Sequence, residues 1–82
     1  MTSLEAIEVV EKFAESLNIT DPFGDKLLGC EVTAALSRRE PEIDKIQERF
    51  MTGQESPEWY VDRMMRLIRE HRDYLQEKKA TQ

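Results

Sequence analysis

No glycine or proline occurs after Pro57, so the last 25 residues contain no strong helix breaker. Just ahead of that stretch, Ser56 and Pro57 supply an N-cap and a proline at the first helical position. A helix is therefore expected from there to about Lys79, with residues 77–82 fraying. At about 100° per residue, Tyr60, Val61, Met64, Met65, Leu67, Ile68, His71, Tyr74 and Leu75 fall within roughly half a turn of arc. An apolar arc that wide suits a helix contacting two neighbours or a partner chain. The rest of the chain must fold around this helix.

Three residues of the long helix stand apart from its packing pattern. Trp59 falls outside the arc, beside Arg63 and Arg66. Either it folds under the Gly53–Ser56 loop, or it is exposed and stacked by Arg63 one turn on. His71 sits near the centre of the arc, where a hydrogen-bonded core histidine is the expectation, since no second histidine exists to share a metal. Arg72 also falls inside the arc. Buried arginine is costly unless paired, so a narrower true core is expected. On the outer side, Asp62–Arg66, Arg66–Glu70 and Arg69–Asp73 are spaced as i,i+4 pairs of opposite charge.

Three shorter helical segments precede it. In the first, Thr2 and Glu5 fit a capping box. Leu4, Ile7, Val10, Ala14 and Leu17 follow helical spacing, and Ala6, Val9 and Phe13 widen the stripe. Glu8, Glu11 and Glu15 cluster on the other side, as a solvated face or an acidic patch for a basic partner. Asp21-Pro22-Phe23-Gly24 then reads as a type I turn. The second helix is capped by Asp25, or starts at Pro22 with Asp21 as cap; both starts remain open. Its segment is apolar nearly all round and carries the small residues Gly29, Ala34 and Ala35, as suits close packing in the middle of a bundle. Cys30 is expected there as a small buried hydrophobe. The third helix begins at Pro41, because Glu40 before a proline is pushed out of helical conformation; a Ser37/Glu40 capping box would start it a turn earlier. Ile43, Ile46 and Phe50 form its apolar stripe, and Gly53 is placed to end it.

The expected fold is all-α: a small four-helix bundle-like domain spanning residues 1–82, with a short third helix and a long C-terminal one. Its connections are short enough to make consecutive helices neighbours. An 82-residue chain buries a modest core, and one cysteine cannot close an internal disulfide, so association with another chain is the supplement most open to it. The net charge of −5 opposes phosphate backbones and anionic membrane surfaces. No apolar run approaches a membrane span, the N-terminal segment lacks a basic region, and the lone thiol suits a cytoplasmic location.

Motifs that carry chemistry are missing from the sequence. There is no phosphate-binding glycine loop, no dinucleotide fingerprint and no H-E-x-x-H, and one Cys with one His cannot build the common zinc frameworks. No cofactor or metal is expected, and no enzymatic activity. The expected function is a small acidic protein–protein interaction module of the adaptor, inhibitor, immunity or assembly type, with a tendency to dimerise. The expected contact residues are Trp59, Tyr60, Arg63 and Arg66, joined by Glu8, Glu11 and Glu15. Residues 1–24 carry five acids and one base, and residues 56–82 carry six bases and five acids. That asymmetry would let the first helix of one protomer approach the last helix of another. The alternative is a DNA-binding regulator with a helix-turn-helix formed by residues 25–52, which Arg38, Arg39, Lys45 and Arg49 favour and the acids Glu40, Glu42 and Asp44 at the start of its second helix oppose. The Ser56-Pro57-Glu58 helix start and the acidic four-helix outline resemble bacterial toxin-immunity proteins in general form; no residue role follows from that likeness.

Overall fold

The computed structural model describes residues 1–21 and 23–80, with side chains through Asp73. Among the described residues the chain is all-α. Its helices are α1 (Ser3–Ser16), α2 (Gly29–Arg39), α3 (Pro41–Met51) and α4 (Pro57–Ala80). The 24 residues of α4 span about 36 Å at 1.5 Å per residue. This helix packs against each of the other three, α2 touches both α1 and α3, and together they enclose one hydrophobic cluster. Residues 77–80, expected to fray, are part of α4, while Thr81 and Gln82 lie outside the described residues.

Local chemistry sets most helix ends. At α1 the Thr2 and Glu5 side chains each accept a hydrogen bond from the other's backbone N–H at 3.1 Å, completing the capping box. Asn18 then takes a left-handed conformation (φ +55°), which asparagine tolerates, and turns the chain out of the helix. At the end of α3, Gln54 N–H donates to the Arg49 carbonyl and Gly53 N–H to the Phe50 carbonyl, with Gly53 at φ +77°. This is a Schellman motif, and its left-handed position requires the glycine. Ser56 accepts from Trp59 N–H at 3.2 Å to start α4.

The start of α2 departs from expectation. It lies at Gly29, four residues beyond Asp25. The Asp21 carboxylate accepts from both Phe23 N–H (2.9 Å) and Asp25 N–H (2.8 Å), an Asx-type closure that competes with helix formation. Thr20 and Lys26 pair as an isolated antiparallel bridge, and Leu27 N–H donates to the Ile19 carbonyl at 2.8 Å. Fully buried Ile19 anchors this connection to the core. Pro22, one of the two proposed starts, lies outside the described residues. The other joints are shorter: Glu40 alone links α2 to α3, so the Ser37/Glu40 alternative is not used.

The apolar arcs are narrower than the sequence pattern suggests. On α1 the core face is Ala6, Val10 and Ala14, with Ile7, Phe13 and Leu17 half-buried; Leu4 is 79% exposed and Val9 also faces outward. On α2 only Gly29, Val32 and Leu36 are buried. Leu28, Cys30 and Ala34 are exposed, which corrects the expectation of a helix wrapped on all sides and of a buried Cys30. The reason is that neighbours cover α2 along one stripe only. Among the described side chains of α4 the buried ones are Tyr60, Met64 and Ile68, spaced four apart. Arg72 is exposed, in keeping with the narrower arc, and the side chains of Tyr74 and Leu75 lie outside the described residues.

Candidate functional site

Trp59 lies on the seam between α3 and α4. It is half-buried and packs against the hydrophobic cluster. The Arg63 guanidinium lies over its ring at 5.9 Å from the centroid, one turn along α4, and the Arg49 guanidinium reaches it from α3 at 5.6 Å. Arg49 also forms a 2.7 Å ion pair with Glu55, in the loop between the two helices. The tryptophan therefore adopts neither of the expected extremes: its ring is held by both arginines, with part of its edge in solvent. Lys45 and Arg49 read in the sequence only as bases favouring the DNA-binding alternative; their place beside Trp59 was missed, because helical spacing along α4 says nothing about which α3 residues face it.

These residues line a shallow recess of about 500 Å³ together with Glu42, Lys45 and Ile46. Its charged walls hold three bases and two acids, and one acid is committed to Arg49. The recess is thus a weakly basic, aromatic-floored patch on an otherwise acidic chain. At physiological salt the field of exposed charges decays over about 8 Å, so the recess is governed by its own charges more than by the net −5. Arg66, also expected at the surface, is exposed and sits 3.9 Å from Asp62.

Tyr60 does not join this surface. It is buried at 6% exposure, with its ring stacked on Phe50 at a centroid distance of 4.1 Å. Burial pushes its phenol above the usual range, the nearby Glu11 charge pushes the same way, and a hydrogen bond with Gln47 acts against them. Tyr60 contributes to the core and to the wall of a second cavity on the other side of α3. That cavity, about 330 Å³, is bounded by Ile7, Val10 and Glu11 of α1, Cys30 and Thr33 of α2, Gln47, Phe50 and Met51 of α3, and Tyr60 of α4.

Glu8, Glu11 and Glu15 of α1 do not form one free acidic strip. Glu8 pairs with Lys12 at 3.1 Å. Glu11 is half-buried beside Tyr60. Glu15 reaches the start of α2, where it accepts a long 3.4 Å hydrogen bond from Gly29 N–H. Leu28 has no side-chain acceptor with which to cap α2. Glu31 accepts from Leu28 N–H at 2.6 Å, and Glu15 adds a second carboxylate at the same positive helix end. The approach of the two helices is very close: a Cβ on Gly29 would collide with the backbone of Glu11.

His71 is half-buried on α4 with Nε2 3.6 Å from Glu40 Oε1, so it faces the α2–α3 joint. On the outer side of α4 the Arg69 guanidinium lies over the Phe13 ring at 5.6 Å, and Asp73 sits 3.7 Å from Arg72. Among the described residues no three His, Cys, Asp or Glu side chains converge as a metal site would require, and no helix is long and apolar enough to cross a membrane. Compared with protein families, with curated proteins and with solved structures, the chain shows no significant match to any.

Proposed function

We propose that this chain is a non-enzymatic protein–protein interaction module whose contact surface is the Trp59 recess. The observation that carries this reading is a half-buried tryptophan flanked by the Arg49 and Arg63 guanidiniums in an open recess. Tryptophan and arginine are the residues most often found as energetic anchors of protein interfaces. Here the ring is already oriented by its two arginines, so little side-chain freedom remains to be lost on binding. Trp59, Arg63 and Arg66 are the contact residues of α4, with Arg49 and Lys45 added from α3. The compartment on this reading is the cytoplasm, where an exposed lone thiol such as Cys30 stays reduced.

Self-association is the second part of the proposal. It sets the acidic α1 of one protomer against the basic end of α4 in another, supported by the net −4 of residues 1–24 and the net +1 of residues 56–82. Sedimentation at rising concentration should show a dimer that weakens with salt; a clean monomer at high concentration removes this part. A DNA-binding reading gains nothing from the joint at Glu40, which is shorter than the three or four residues of a helix-turn-helix corner.

The test of the main proposal is affinity capture from cells of the source organism with the wild-type chain, Trp59→Ala and Arg63→Glu. A specific protein partner retained by the first and lost from both variants supports the recess as the contact surface. Equal capture by all three moves the surface elsewhere.

A further inference from the structure

The second cavity points to a ligand of a different kind. It shares no lining residue with the Trp59 recess and does not depend on that recess being an interface. At about 330 Å³ it lies near the lower end of the range for small-molecule pockets. Its walls are mostly apolar, from Ile7, Val10, Phe50 and Met51. Glu11 is the one ionisable carboxylate in the lining, and no lysine, arginine or histidine lines the cavity. Among the described residues Glu11 makes no ion pair, whereas its neighbour on the same helix, Glu8, is neutralised by Lys12. Glu11 is half-buried and close enough to Tyr60 for its charge to act on the phenol. An apolar cleft thus ends at a half-buried carboxylate that has no cationic partner among the described residues.

We propose that this cleft binds small organic cations: a compact apolar body seated among Ile7, Val10, Phe50 and Met51, with a primary ammonium group on the Glu11 carboxylate. The ammonium brings the donors and the charge that Glu11 lacks, and a charge-assisted hydrogen bond is stronger than a neutral one. Because Glu11 stands in a half-open cleft, the cation keeps part of its hydration and avoids the full cost of burying a charge. Anionic ligands of the same shape meet Glu11 and a net charge of −5, so they are excluded. Thr33 and Gln47 supply further polar groups at the wall. Cys30 is exposed on the same lining, so a bulky thiol adduct there would obstruct the entrance.

The test is a chemical-shift titration of the whole chain with n-hexylammonium, with 1-hexanol and hexanoate as neutral and anionic analogues. Saturable shifts centred on Ile7, Val10, Thr33 and Cys30 are expected for the ammonium ion, with none for hexanoate. Both loss of the head charge, in hexanol, and Glu11→Gln should weaken binding roughly tenfold, the size of one charge-assisted contact. Wild-type protein alkylated at Cys30 with a bulky maleimide should lose binding while keeping the fold, which keeps the test decisive if Glu11→Gln folds poorly. Hexanol binding as tightly as the ammonium ion, shifts centred away from these residues, or no saturable shift at all would each overturn the proposal.

Discussion

The α1–α2 and α3–α4 contacts are built in opposite ways. Where α1 meets α2, the contact is backbone against backbone: Gly29 lies on Glu11 with no space for a Cβ. Where α3 meets α4, the contact is made by large flat groups, with Phe50 on Tyr60 and Arg49 on Trp59. The first contact gains close packing and a hydrogen bond from Gly29 to the Glu15 carboxylate, but at Glu11 the neighbour is backbone, which cannot rotate away from an added group. The second is made by side chains and can respond by rotamer shifts, at least at its solvent edge. A surface that must accept a partner is better placed on the second kind of seam, and there the Trp59 recess lies.

Breaking each seam should show the difference. Phe50→Ala removes a buried ring and its stack on Tyr60, and should cost about 3–5 kcal/mol in urea unfolding. A loss under about 1 kcal/mol would mean that Tyr60 repacks freely and that the stack is not what holds α3 to α4. Gly29→Ala adds one methyl group and should cost about 1–3 kcal/mol, because the atom it meets belongs to backbone. Alanine is the better helix former, so a neutral or stabilising result would show that α2 slides off α1 at little cost. Arg49→Met keeps the aliphatic stem over Trp59 and removes the Glu55 pair, for an expected loss of under about 1 kcal/mol, as for other exposed pairs.

The pH dependence of the α3–α4 seam sharpens the comparison further. The Tyr60 phenol is raised in the folded state, so its contribution is fully present below the ordinary tyrosine value of 10.0 and is lost as pH rises through the higher folded value. The unfolded chain releases that proton first, and stability should fall in this alkaline window. Tyr60→Phe should flatten the fall in unfolding free energy measured between neutral and alkaline pH. An unchanged slope would assign the alkaline loss to other groups.

Helix ends that depend on neighbouring residues were legible in the sequence. Thr2 with Glu5, Pro41, Gly53 and Ser56 with Pro57 all act where their spacing places them. The start of α2 was not, because the Asp21 carboxylate and the Thr20–Lys26 bridge hold a stretch whose apolar spacing alone favours a helix. Periodicity likewise located the inward face of each helix but not its width. That width depends on how many neighbours cover the helix, which is why Leu4, Leu28 and Cys30 emerged exposed. Trp59, Arg63 and Arg66 were visible as residues off the packing arc. Lys45 and Arg49 reach the same recess, and Glu11 meets Tyr60, only through tertiary contact between helices.

The single residue between α2 and α3 makes the two ends of α2 unequal in their tolerance of length change. Glu40 N–H closes α2 on the Leu36 carbonyl, and the Glu40 carbonyl receives Ile43 N–H to open α3. A residue added within either helix beside this corner would turn the helix face beyond it by about 100° and misdirect either Val32 and Leu36 or Ile43, Ile46 and Phe50. The same insertion at Phe23, 89% exposed at the far side of α2, would only lengthen a surface turn already tied at its base. A tag or reporter peptide therefore belongs in the Phe23 turn, where the chain can grow without re-registering a helix.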